Sequence, residues 1–196
     1  MNIGARSYYR IHNVNSRMLL DPSVPDGGGD TNYPIVLLAR ILIEKGHRVG
    51  IFDRRNINDY DKIIFFEFPE FRRTGLPNKY LRKLIKDRFE EMYLVCVEPE
   101  VVKPNNWIID NHKYFKKIFT WHGDYIDNKI YFRINSTSHK KGEKVDFELT
   151  SKAKLCTFIA RNKFSRHPKE LYSERRKAIR WFEKNHPEDF DLYGVG

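Results

Sequence analysis

Short apolar runs alternate with longer amphipathic stretches along this chain, the pattern of strands and helices taken in turn. A strand is predicted over Asn2–Tyr9, followed by a polar loop containing Asp26-Gly27-Gly28-Gly29-Asp30. A helix should then start near Pro34, with Thr31 or Asn32 as its cap and proline in its first turn. It carries Ile35, Leu38, Leu42 and Ile43 and ends at Gly46. Its apolar residues wrap nearly all round, as in a helix buried against a sheet. Arg48–Phe52 and Lys62–Phe66 are short apolar runs of the kind that parallel sheets bury on both faces.

An amphipathic helix is predicted over Asn78–Met92, with Leu81, Leu84, Ile85, Phe89 and Met92 on one stripe. The apolar strand Tyr93–Val97 ends abruptly at Glu98-Pro99. A short helix over Asp110–Lys116 leads to strands Lys117–Trp121 and Ile130–Ile134. Residues 135–151 are polar and unpatterned and read as a linker. Beyond it come a strand over Lys154–Ala160, a helix over Pro168–Asn185 stopped before Pro187, and a strand over Phe190–Tyr193. The expected fold class is therefore α/β, with a Rossmann-like, parallel-sheet domain over residues 1–134. Residues 152–196 would form the first βαβ unit of a second Rossmann-like domain, a unit that cannot bury its faces alone.

Composition supports a packed core: 40% of the 196 residues are hydrophobic and 14% aromatic, which argues against disorder. No apolar run approaches the roughly 18 residues of a membrane span. The longest, Ile35–Ile43, is interrupted by Arg40. The opening Met1-Asn2-Ile3-Gly4 lacks the layout of a signal peptide, so a cytoplasmic location is expected, with peripheral contact to the inner face of a membrane as a candidate. Asn135-Ser136-Thr137 is then a chance glycosylation sequon. Cys96 and Cys156 each sit in an apolar run and are expected to be buried free thiols.

A net charge of +10 draws the chain towards an anion: nucleic acid, an anionic membrane surface or a phosphorylated small molecule. A merely solvated basic surface meets the same charge. The basic residues are spread along the chain, with no zinc-ligand spacing and no aromatic-plus-arginine RNA signature. Nucleic acid is not the expected partner, and a non-catalytic basic binding module for it, or for an anionic surface, stands as the alternative.

Two residues stand out. On a helical wheel over the last helix, Leu171, Ala178, Ile179 and Phe182 form one face, and Arg175 falls within it, whereas Arg176, Lys177, Arg180 and Lys184 lie towards water. A guanidinium there must snorkel, meet an anion, or bridge to a carboxylate such as Glu98 or Asp191. Its place early in a helix that follows a strand is where backbone N–H groups already favour phosphate. Glu98 directly follows a buried strand, where open parallel sheets place their ligand crevice, and a carboxylate there suits a general base. A solvated Glu-Pro turn is the plainer reading, and Glu100 competes for the same role. Trp121, His122 and Asp124 follow another strand end and are candidates to line the crevice. His122 has no ligand partner at helical spacing, so no metal site is expected. The glycines at 27–29 do not have dinucleotide-fingerprint spacing.

Val97-Glu98-Pro99-Glu100-Val101-Val102-Lys103-Pro104, then Phe119-Thr120-Trp121 with Asp124 and Asp127, resembles the middle of glycosyltransferase family 10, the α1,3/4-fucosyltransferases. Lys154–Asn162, Arg175 and Phe190-Asp191-Leu192-Tyr193-Gly194 are similar to the opening of that family's donor domain, so the resemblance covers 93–196. It implies a GT-B layout of two Rossmann-like domains and a metal-independent, inverting transfer of L-fucose from GDP-fucose to a hydroxyl of a glycan or glycolipid. It implies Glu98 as general base, although Pro99 stands where the family has Ser. It also implies Arg175 on the diphosphate and Asn162 near the donor. The family's remaining donor residues would lie beyond Gly196, so the chain is expected to be a fragment of a longer enzyme or a remnant inactive alone. A GT-B protein using another nucleotide sugar is a further alternative.

Overall fold

Six parallel strands form one sheet: β1 (Asn2–Ser7), β2 (Arg48–Ile51), β3 (Lys62–Phe66), β4 (Met92–Cys96), β5 (Lys117–Thr120) and β6 (Tyr131–Arg133). The computed structural model describes residues 1–20, 32–53, 55–69, 83–84, 86–135 and 153–194, with 10, 11, 17 and 18 as backbone alone. The glycine loop, Thr31, most of the predicted linker, the sequon's Ser136 and Thr137, and the start of the predicted 78–92 helix lie outside them. Residues 1–142 and 143–196 form two separate units.

The strand order is β2-β1-β3-β4-β5-β6. Both neighbours of β1 are parallel to it, so the connections leave β1 in opposite directions. Open parallel sheets of this Rossmann-like kind bind ligands at the carboxyl ends of the strands, where the order reverses. Each face has its own core. On one side Phe52, Ile57, Ile63, Phe65, Leu84, Met92, Leu94, Phe115 and Ile118 are buried together. On the other, Ala5 and Phe66 pack with Leu19 of α1 (Arg17–Leu20) and Ala39 of α2 (Tyr33–Glu44). Each fully buried Phe or Ile contributes about 1.5–3 kcal/mol. Gly4 is required because a Cβ there would lie 2.8 Å from Cγ of the Tyr60 ring.

The helix predicted near Pro34 is α2. Asn32 precedes it but makes no side-chain cap; its carbonyl accepts the N–H groups of Ile35 and Val36. Gly46, at φ +81°, follows its end. The expected all-round burial does not hold: Val36 and Ala39 are buried, while Leu37, Leu38, Ile41 and Ile43 are 39–53% exposed. A single sheet face covers only one stripe of a helix.

The predicted 78–92 helix stops early. Residues 83–84 and 86–88 are helical, Phe89–Glu91 is a 3₁₀ turn, and Met92 opens β4 opposite Ile63. Arg88 ends the helix by donating to the carbonyls of Ile57 and Tyr60. The predicted helix over Asp110–Lys116 is instead a 3₁₀ segment, Ile109–Tyr114. Cys96 is buried; Cys156 is only half-buried, contrary to expectation, because it belongs to a two-stranded sheet covered on one face.

The second unit holds β7 (Cys156–Ile159), α3 (Tyr172–Asn185) and β8 (Phe190–Tyr193). The strands pair in parallel, and Phe182 of α3 stacks on Phe190 at 5.2 Å. Pro168 and Lys169 form a turn before α3 rather than its first residues. Leu155 and Ile159, on the other face of the two strands, are 74% and 81% exposed. Among the described residues no helix is long and apolar enough to cross a membrane.

Candidate functional site

In the first unit the carboxyl ends of β1, β3, β4 and β5 carry one connected set of polar side chains. Glu98, two residues beyond β4, accepts a 2.6 Å hydrogen bond from the Tyr9 hydroxyl, which follows β1. Burial, and then Glu98 itself, push the Tyr9 phenol above its ordinary range. Ser7 Oγ meets His12 Nδ1 at 2.9 Å; among the described residues His12 Nε2 is buried without a partner, and burial lowers its pKa, which favours the neutral ring. Lys103 is 1% exposed, with Nζ 3.6 Å from the centre of the Tyr8 ring, a cation–π contact.

Three groups hold the backbone at Glu98 through four hydrogen bonds. Glu67, the residue after β3, accepts the N–H groups of Val97 and Glu98, each at 3.1 Å. The indole of Trp121 donates to the Val97 carbonyl at 2.8 Å and that of Trp107 to the Glu98 carbonyl at 3.1 Å. Trp107, Trp121, His122 and Tyr125 form one ring cluster, with Trp121 41% exposed. Of the predicted crevice residues, Trp121 thus bonds beside Glu98, and His122 stacks on Trp121. Asp124 is exposed, 3.9 Å from His122 Nδ1. Glu100 begins the turn after Pro99 and is half-buried. The tryptophans act on the backbone of Glu98 rather than on its carboxylate.

The second unit contains a pocket of about 370 Å³ beyond the carboxyl ends of β7 and β8, bounded by α3. Asn162 and Arg175 both line it, as do Arg161, Lys163, Arg176 and Arg180. Arg176 and Arg180, expected to face only water, therefore share the pocket with Arg175. Glu183 is the single carboxylate of the lining and pairs with Arg180 at 2.8 Å, leaving an excess of positive charge. Arg175 stacks over the Tyr172 ring, 5.5 Å from its centre. Asp191, one anticipated partner of Arg175, is faced by Lys154 at 3.9 Å. Gly194 closes the rim at φ +142°, where a Cβ would fall 1.8 Å from the Ala160 carbonyl oxygen.

Tyr9, Glu67, Lys103, Asn106 and Trp107 were not singled out by sequence. The signal for Glu67 was the one that marked Glu98, a carboxylate directly after an apolar parallel strand. Among the described residues no group of His, Cys, Asp and Glu is placed to hold a metal ion. No family model, curated protein or solved structure matches the chain.

Proposed function

We propose that this protein is a fucosyltransferase-like glycosyltransferase of GT-B type, acting on GDP-fucose and a glycan or glycolipid hydroxyl. The observation that carries the proposal is the pocket in which Arg175 and Asn162 meet three further arginines and a lysine beside a helix that follows a strand. Such a cation excess suits a nucleoside diphosphate, with bidentate guanidinium contacts to its oxygens. Glu98 supplies the second requirement, a carboxylate fixed at a strand end.

In the proposed reaction the acceptor oxygen attacks the anomeric carbon while Glu98 takes its proton. The bond from that carbon to the diphosphate oxygen breaks, the electron pair stays on the diphosphate, and bound cationic side chains stabilise the charge that develops. Attack opposite the leaving group inverts the anomeric centre. The test is transfer from radiolabelled GDP-fucose to a panel of glycans, with GDP-mannose and UDP-glucose as competing donors. Transfer from GDP-fucose that Glu98→Gln abolishes supports the proposal. Transfer from another donor keeps the class and replaces the sugar.

A second proposal, a basic module binding nucleic acid, has the same cation cluster in its favour. It predicts binding to single-stranded RNA or DNA that weakens steeply with salt and is insensitive to GDP.

A further inference from the structure

Glu67 has no role in the proposed reaction, yet its geometry is tightly constrained. Its backbone lies at φ +69°, in the left-handed region that a residue with a Cβ enters at a cost. That conformation lets Oε1 reach the next strand's end and accept two backbone N–H groups at once. Oε2 accepts from the Asn106 side-chain amide. Asn106 Oδ1 in turn accepts the Phe68 N–H at 2.7 Å, and the Asn106 carbonyl accepts from His112 Nε2 at 2.6 Å. His112 Nδ1 is thereby left to accept from the Tyr131 hydroxyl at 3.0 Å. Glu67, Asn106 and His112 are 5%, 0% and 5% exposed. A continuous buried polar line thus runs from the end of β3 to β6.

The line ends on the peptide that carries Glu98. With the two indoles, it satisfies both N–H groups and both carbonyls of Val97 and Glu98. That satisfaction fixes the peptide, and a group that must meet a reacting hydroxyl within a few tenths of an ångström needs such a fixed support. We propose that Glu67 is a positioning residue whose carboxylate fixes the backbone of Val97 and Glu98 and so the place of the Glu98 carboxylate, a role in catalysis that rests on the transferase reading. Burial raises Glu67 to about 7, against the pull of its hydrogen bonds from Asn106, Val97 and Glu98. The titratable groups that couple to it are Glu98 from the β4 end, Tyr9 from the β1 end and the Cys96 thiol of β4. Protonation removes acceptor capacity from the carboxylate, so its hold on the two N–H groups weakens as pH falls through that value.

The test is an amide ¹⁵N–¹H titration of the full chain from about pH 5.5 to about pH 8.5, a range that brackets neutrality. The Val97 and Glu98 amides are expected to shift together with one midpoint near 7, and Glu67→Gln to abolish the shift while β1 and β2 resonances stay in place. Amides that do not move in the wild type, or that keep their midpoint in Glu67→Gln, overturn the proposal; the wild-type result decides alone if that variant does not fold. In turnover, Glu67→Gln is expected to lower kcat by about 10- to 100-fold, leave KM within about twofold, and remove the inflection near pH 7 from the pH profile. Unchanged kcat in a variant of an active wild type overturns the positioning role. A wild type that neither turns over any donor nor binds GDP defeats the transferase reading, and the amide titration then decides whether Glu67 holds this loop.

Discussion

The hydroxyl of Tyr9 and the carboxylate of Glu98, 89 residues apart in sequence, lie 2.6 Å apart beyond the ends of β1 and β4. β3 lies between those two strands, and Glu67, the residue after it, holds the Glu98 backbone from below. Three strand ends thus converge on one carboxylate.

Tyr9→Phe removes the phenol and leaves the ring. Because burial and Glu98 hold that phenol neutral above its ordinary range, spectrophotometric titration at alkaline pH should show one fewer late-ionising tyrosine in the variant. A hydrogen bond to an ionised partner contributes about 1.5–3 kcal/mol, so a loss of roughly 1–2 kcal/mol in denaturant unfolding is expected. Turnover should fall about tenfold as Glu98 loses a fixed orientation. An unchanged tyrosine titration would show that Tyr9 is not the shifted group.

Glu67 gives stability a distinctive pH dependence. Its folded pKa of about 7 exceeds the unfolded value of 4.5, so the folded state binds more protons between them. The favourable contribution is fully present below about pH 4.5 and is lost as pH rises towards about 7, roughly 3 kcal/mol over the window. The other carboxylates add their own slopes, so the informative quantity is the difference between wild type and Glu67→Gln. Relative to the variant, the wild type should lose stability from pH 4.5 to 7 and run parallel above; a difference flat with pH refutes the shift.

Much of this was legible in sequence, and the exceptions have physical causes. Pro34 and Gly46 mark the start and end of α2 because each acts through its own backbone. Met92 fitted the helical stripe as well as a strand, and what decided was Arg88, which ties the chain to Ile57 and Tyr60 some 30 residues away. Arg175 was visible because a helical wheel is local. Glu67 carried the strand-end signal that marked Glu98, but its role did not show, since its partners Val97 and Asn106 lie 30 and 39 residues on. Nothing in a single sequence reports φ +69° at a glutamate.

Asn106 is fully buried, and Asn106→Ala leaves the Phe68 N–H without its acceptor and Glu67 Oε2 without a donor. Each orphaned group costs about 1–3 kcal/mol, so unfolding free energy should drop by roughly 3 kcal/mol or more. Asn106→Asp restores an acceptor for Phe68 but sets a second carboxylate against Glu67. Its deficit should therefore be larger at pH 8 than at pH 5, where one proton can be shared. Equal deficits at both values would mean that the two side chains do not interact.

The basic pocket offers a discrimination within one helix. Arg175 lines the pocket, whereas Lys177, two positions on, does not and is paired with Glu174 at 2.6 Å. If the pocket takes a diphosphate, Arg175→Ala should weaken GDP binding by about 10- to 100-fold, the equivalent of one charge-assisted contact. Lys177→Ala should change it less than about twofold, since exposed helical ion pairs contribute little. Arg175→Lys keeps the charge but loses the planar fork and the stacking on Tyr172, so it should recover only part of the affinity. Calorimetry of the three variants at fixed ionic strength measures all of this. Equal losses for Arg175→Ala and Lys177→Ala would mean that GDP senses only the net charge of α3, which is what a general anion-binding surface would do.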